Sequence, residues 1–310
     1  MRYGPALPDE PSSHDRLPSE RTFELKGHEG PVLAVRFNRS GTYCLSCGKD
    51  RTLRLWNPHR GIPIKSYHGH GYDVRDVAVS TDNSKLASGG GDRQIFLWDV
   101  ATGRTLRKFR GHDGVVNSIC YGPDDGVIVS GGYDQAVMVW DTRSRSFDPI
   151  QSMKPFGDSV TAVAVSKSAE VIASSVDGTL RRFDARAGCL YTDDLHHPIT
   201  SMVLSHDDHC VLAGCLDGSL RLLDRVSGEL LAQYTGHVAE SYRMEVSMTP
   251  SDSHVLAGSE DGRICYWDLV EERMVKSFQA HAGVVCSQAI HPESKCLLTS
   301  STDGSIFVWQ

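Results

Sequence analysis

Seven times along this chain an aspartate stands six residues ahead of the end of a short apolar stretch. The aspartates are Asp50, Asp92, Asp134, Asp177, Asp217, Asp261 and Asp303. The stretches end on Trp56, Trp98, Trp140, Phe183, Leu223, Trp267 and Trp309, at steps of 42, 42, 43, 40, 44 and 42 residues. All five tryptophans of the chain fall in this register. A third marker keeps step: Gly-His at 27–28, 69–70, 111–112 and 236–237, with Ala-His at 280–281. A unit this short cannot bury its own apolar face, so neighbouring units must stack and share a continuous core. Between the markers run segments of period two, such as "VLAVRF" and "TLRLWN", punctuated by Gly, Asp, Asn and Ser. They predict strands and tight turns, with almost no helical pattern.

A period of 40–45 residues, with Gly-His early and Trp-Asp late, resembles the WD40 β-propeller family over residues 21–310. The resemblance implies an all-β, seven-bladed propeller with four antiparallel strands in each blade. It also implies a hydrogen-bonded set of His, Ser or Thr, Asp and Trp inside a blade. The complete sets are His28/Ser46/Asp50/Trp56, His70/Ser88/Asp92/Trp98, His112/Ser130/Asp134/Trp140 and His281/Thr299/Asp303/Trp309. These residues are expected to be structural, because a buried carboxylate needs donors and an imidazole can supply one. Repeats four to six depart from the pattern: Gly157-Asp158, Ala173 and Phe183; His196-His197, Ala213 and Leu223; and Ala257 in the sixth. Blades four to six are therefore expected to be less stable.

The last repeat holds only three strands after its Ala-His, "GVVCSQAI", "CLLTSS" and "SIFVWQ". Elsewhere a fourth strand follows the Trp, and that pattern occurs once with no repeat before it, "ERTFELKGHEG" at 20–30. Residues 21–26 are thus expected to pair beside 305–309 and close the ring. Residues 1–20, rich in Pro, Ser and acids, cannot build a core and are expected to form a disordered tail.

No stretch carries recognisable catalysis, and neither a cofactor nor a metal is expected. "SGGGDRQ" (88–94) is Gly-rich but lacks the Gly-Lys-Ser/Thr of a phosphate loop. "HHPITSMVLSHDDHC" (196–210) reads as solvated or capping histidines on turns rather than a zinc site. The Asp-Gly pairs are turns, without the spaced carboxylates of a calcium loop. Nine cysteines are scattered; the nearest pair, Cys44 and Cys47, sits three apart on a strand, where side chains face opposite ways. They read as small buried hydrophobes in a reducing compartment. A formal net charge of −7 argues against a DNA binder, and no apolar run is long enough for a helical membrane span. The N-terminus has no apolar targeting segment. The expected location is cytoplasm and nucleus.

A propeller without chemistry binds through its loops. The family's variable top-face positions, just after the Gly-His and just before the Asp, correspond here to Lys49, Tyr72, Arg75, Asn117, Tyr133, Tyr242, Arg243 and Glu260. Repeat six carries two extra residues there, since His237 to Trp267 spans 30 positions against 28 in the four complete sets. Stretches such as "GHGYDVRDVAVSTDNSKLASGGGDRQIFLWDVATG" and "DGSLRLLDRVSGELLAQYTGH" resemble one branch of the family, the non-enzymatic scaffolds associated with MAP kinase module organisation and with the catalytic spliceosome. That implies spliceosomal or MAP kinase module proteins as partners of a monomeric propeller within larger complexes. A different resemblance lies in "WDTR" (140–143), similar to the Trp-Asp-x-Arg box of propellers that serve the cullin-4 ubiquitin ligase as substrate receptors; it implies Arg143 as the adaptor contact, with "FDAR" (183–186) a weaker echo.

Overall fold

A computed structural model describes residues 17–184, 189–293 and 295–310. Among them the chain is entirely β, with seven antiparallel sheets of four strands. Blade one consists of Val32–Phe37, Cys44–Gly48, Thr52–Asn57 and Ile62–His68, and the next five blades follow in chain order. The first strand of each blade faces the central channel, where it meets the first strands of its neighbours. Strand alternation sends successive side chains to opposite faces of each blade, so the core is divided into layers between blades. Cys47 packs with Val77 and Trp98 between blades one and two, while Cys44 packs with Trp56 and Leu298 between blades seven and one. Burial pushes both thiols up.

Blade seven is built from both ends of the chain. Val285–Ile290, Leu297–Ser301 and Ile306–Trp309 are completed by Arg21–Glu24, which pairs antiparallel with the last strand. Leu25 N donates to Ile306 O at 2.9 Å, and Gln310 N to Glu20 O at 2.9 Å. Residues 17–20, expected to belong to a disordered tail, are instead held against the ring. Tyr266 Oη donates to Pro18 O at 3.0 Å, and Lys276 Nζ reaches Leu17 O and Ser19 Oγ at 3.0 and 2.6 Å. Leu17 packs against the core between blades six and seven, which anchors the chain ahead of the closing strand. The rest of the proposed tail, 1–16, lies outside the described residues.

In blades one to three the expected sets are assembled. His28 lies 2.8 Å from Asp50 through Nδ1 and 2.7 Å from Ser46 Oγ through Nε2, and Trp56 Nε1 donates to the same hydroxyl at 2.8 Å. In blade two, His70 lies 2.7 Å from Asp92 and 2.7 Å from Ser88 Oγ, and Trp98 Nε1 donates to Ser88 Oγ at 2.8 Å. In blade three, His112 lies 2.9 Å from Asp134 and 2.7 Å from Ser130 Oγ, and Trp140 Nε1 donates to Ser130 Oγ at 2.8 Å. Ser88 and Ser130 are both 0% exposed, so neither hydroxyl can meet a partner or substrate; each is an interior junction between an imidazole and an indole. Burial opposes ionisation of Asp50, but hydrogen bonds from His28 and Thr52 outweigh it and hold its carboxyl below the ordinary range.

Blade seven departs from the expectation. His281 Nε2 meets Thr299 Oγ1 and Trp309 Nε1 donates to it, at 2.7 and 2.8 Å, but His281 Nδ1 pairs with Ser305 Oγ at 2.6 Å and Asp303 stays 3.7 Å away. Asp303 instead accepts from Ser305 N and Oγ and from Ala282 N, so the serine relays between carboxylate and imidazole.

Blades four to six substitute other contacts. Phe156 meets Phe183 edge-on at 6.1 Å in blade four, and Leu223 is buried in blade five. Without a hydroxyl at Ala257, Trp267 Nε1 donates to Thr235 O. His237 is buried with Nδ1 unpaired, and burial lowers its pKa to about 4. A buried imidazole without its partner is an uncompensated cost. Native-state hydrogen exchange is expected to show faster opening of Ile199–Leu204, His254–Gly258 and Arg263–Asp268 than of the matching strands of blades one to three. Uniform protection around the ring counts against this.

Candidate interaction face

In an antiparallel blade alternate connections lie at opposite ends. The loops after each Gly-His and those carrying each Asp therefore share one face of the ring. The sequence-predicted residues Lys49, Tyr72, Arg75, Asn117, Tyr133, Tyr242, Arg243 and Glu260 lie on or just below it, but they divide into different kinds. Tyr72, Tyr133 and Tyr242 are 65, 66 and 50% exposed, available for contact. Lys49 is exposed as well and makes no ion pair among the described residues. The serines of the blade networks, Ser46, Ser88 and Ser130, are buried in the second strands below this face and take no part in its surface.

Three others hold blades together. Arg75 donates from Nε to Asp73 Oδ2 and from Nη1 to Asn117 Oδ1, at 3.1 and 2.8 Å. Asn117 is buried, and its Nδ2 donates to Ser159 Oγ and Val160 O of blade four at 2.9 and 2.8 Å. Arg243 Nη1 crosses the channel from blade six to Asn117 O of blade three at 2.7 Å. Glu260 is a loop cap: its Oε1 accepts the backbone N–H groups of Glu240, Ser241 and Tyr242 at 2.7, 2.6 and 3.0 Å. Its burial resists ionisation, yet these donors keep the carboxyl below the usual range. The extra length in repeat six is thus wrapped around one carboxylate, which presents Tyr242 outward.

Beneath the face lies a group that sequence reasoning missed. Arg36 donates to Glu245 Oε2 and Oε1 at 2.6 and 2.7 Å, and to Asp76 Oδ1 at 2.7 Å. Ser287 Oγ adds a bond to Glu245 at 2.5 Å, and Ser118 Oγ and Ile119 N donate to Asp76 at 3.1 and 3.0 Å. Blades one, two, three, six and seven are thereby tied around the channel. Burial pushes Asp76 up, whereas for Glu245 burial is outweighed by Arg36, which holds the carboxyl down. The strand register gives these residues a common place: Ala34, Asp76, Ser118, Ala162, Ser201, Glu245 and Ser287 occupy one position of the seven inner strands or the residue just before.

Where the channel opens on the loop face, a recess of about 230 Å³ is bordered by Pro31, Leu33, Lys49, Arg75, Tyr242 and Arg243. The structure thus brings four of the eight predicted residues around one opening. Tyr72 and Tyr133 stand apart from it, on the loops of blades two and three. At the other end of the ring, Arg143 is 71% exposed and lies 3.4 Å from Asp124. Asp134, upstream of it, is engaged with His112. Ala185 and Arg186 of the weaker echo lie outside the described residues.

Comparison with known proteins agrees with this architecture. The model of the WD domain, G-beta repeat, matches seven segments, at 19–57, 61–99, 103–141, 147–184, 187–224, 228–268 and 272–310. The chain is 53% identical to WD repeat domain-containing protein 83 of Rattus norvegicus over 305 residues, covering 98% of this chain and 96% of the relative. It is 52% identical to the Homo sapiens protein of the same name with the same coverage. An uncharacterized WD repeat-containing protein of Schizosaccharomyces pombe is 46% identical over 95% of this chain and 99% of its own. With every blade matched and whole-length relatives at about half identity, the chain belongs to the WD40-repeat family.

Proposed function

We propose that this chain is a non-enzymatic scaffold of the kind its whole-length similarity to WD repeat domain-containing protein 83 implies, holding partner proteins on the loop face of a rigid ring. That similarity, 52–53% over 98% of the chain, carries the reading. The partners are components of the catalytic spliceosome in the nucleus and of a MAP kinase module in the cytoplasm. Exposed Tyr242, which borders the recess with Lys49, and exposed Tyr72 on the loop of blade two support a protein-binding face, because tyrosine supplies contact area at low entropic cost. Affinity purification of the tagged full chain from nuclear and cytoplasmic extracts is the test. Splicing factors and kinase-module proteins are expected in the eluates, reduced by Tyr242→Ala; their absence from both overturns the reading.

The exposure of Arg143 favours a second reading, docking to the cullin-4 adaptor. The same purification decides it. Adaptor in the wild-type eluate, lost on Arg143→Ala, supports it; adaptor absent, or unchanged in the variant, removes it.

A further inference from the structure

The recess at the channel mouth has an unequal balance of donors and acceptors. Three cations border it, Lys49, Arg75 and Arg243, together with two carboxylates, Asp73 and Glu245. Both carboxylates are already engaged. Asp73 accepts from Arg75 Nε, and Glu245 is clasped by Nη1 and Nη2 of Arg36 and by Ser287. The cations are not all used. Lys49 has no ionic partner among the described residues; Arg243 donates from Nη1 to Asn117 O and holds Nη2 4.0 Å from Glu245, but its Nε is buried with no hydrogen-bond partner. Surplus N–H donors therefore converge on one opening of a chain whose formal net charge is −7. A cationic ligand would find no free carboxylate there. A nucleic acid would meet three cations and then a net negative molecule.

We propose that this recess seats a carboxylate side chain from an extended acidic segment of a partner protein. The carboxylate sits between Lys49 and Arg243, and an apolar neighbour of it lies against Tyr242 and Leu33. This names the partner chemistry of the scaffold face and rests on that reading. Charge complementarity selects the occupant: partial enclosure strengthens the ion pair relative to a fully solvated one, and the apolar wall rewards a mixed acidic and apolar sequence over a purely acidic one.

Fluorescence anisotropy with the full chain tests the proposal. The probe is a short fluorescein-labelled peptide of alternating Glu and Leu, compared with its Lys/Leu and phosphoserine/Leu counterparts. The Glu/Leu peptide is expected to bind, with affinity falling as salt rises. Lys49→Glu should weaken it by about tenfold. Arg60→Glu, an exposed charge reversal on the opposite end of blade one, should not. Lys49 is exposed and unpaired, so its variant is expected to retain the wild-type fold, checked by circular dichroism. Failure of the Glu/Leu peptide to bind, equal binding of the Lys/Leu peptide, binding by the phosphoserine peptide alone, or wild-type affinity in Lys49→Glu each overturns the proposal. If purification recovers the expected partners while the peptide arm fails, the scaffold stands and the recess falls. If the peptide binds while purification recovers none of them, the reverse holds.

Discussion

Glu245→Ala is expected to cost about 3–5 kcal/mol of stability, the scale for removing one partner of a buried ion pair. The reason lies in what remains. Arg36 keeps only Asp76 as an anionic partner, and Ser287 Oγ loses its acceptor, while both stay beneath the channel mouth. The change also releases three blades at once, since Glu245 belongs to blade six, Arg36 to blade one and Ser287 to blade seven. Glu245→Gln should cost less, because the amide keeps its shape and one acceptor but loses the charge that complements the guanidinium. A double-mutant cycle makes the interpretation specific. Arg36→Leu alone leaves two buried carboxylates without the guanidinium that bonds both, the remaining cation being Arg243, 4.0 Å from Glu245. In a Glu245→Leu background it leaves only Asp76, which retains Val77 N, Ser118 Oγ and Ile119 N as donors. Arg36→Leu should therefore be far less harmful in that background. Urea denaturation reads both effects; a loss below about 1 kcal/mol for Glu245→Ala, or additive single changes, would show that the pair behaves as a solvated one.

The fold was legible because its markers are local and spaced by a fixed ruler. Trp56, Trp98 and Trp140 bond the hydroxyls of Ser46, Ser88 and Ser130, ten residues back, and each histidine bonds the same hydroxyl 18 residues on. Within one blade these separations are set by strand length and turn type, so periodicity carries them. The choice between Asp303 and Ser305 as the partner of His281 was not legible, because both stand at allowed spacings and side-chain conformation decides between them. The channel cluster was hidden for another reason. Arg36, Asp76 and Glu245 lie in different repeats, and each alone is one charge in or beside an apolar strand. Glu245 stands 22 residues before Trp267, as Asp76 does before Trp98, but the ruler does not say which repeats carry a charge at that place. A signal existed: Asp76 stands 42 residues after Ala34, a charge where the preceding repeat has a methyl group. Glu260 matches the contact surface by spacing, yet spacing cannot distinguish a carboxylate facing solvent from one turned back onto backbone N–H groups.

Removing residues 17–26 is expected to open the ring. Blade seven would lose the strand paired with Ile306–Trp309, leaving that buried apolar strand as an unpaired edge. Leu25 is 1% exposed within the cluster that includes Trp56 and Val308, so the deletion also uncovers the layer between blades seven and one. Each blade packs on two neighbours, which spreads this local loss around the ring. The expected result is a large fall in melting temperature with aggregation, and loss of exchange protection first at 306–309. Graded variants keep the test informative if the deletion does not fold. Leu25→Ala removes the buried side chain alone and should cost about 2–5 kcal/mol. Deleting 1–16 spares every contact described for the closing segment, and is expected to leave melting unchanged. Deleting 1–18 takes away the carbonyl that Tyr266 Oη bonds, along with Leu17 from the core between blades six and seven. That should cost about 1–3 kcal/mol, the scale of a stranded buried hydroxyl. The order of the four variants is the decisive feature: if deletion of 17–26 melts like the wild type, the two chain ends do not hold the ring closed. If 1–18 behaves like 1–16, the clasp begins at the strand and not before it.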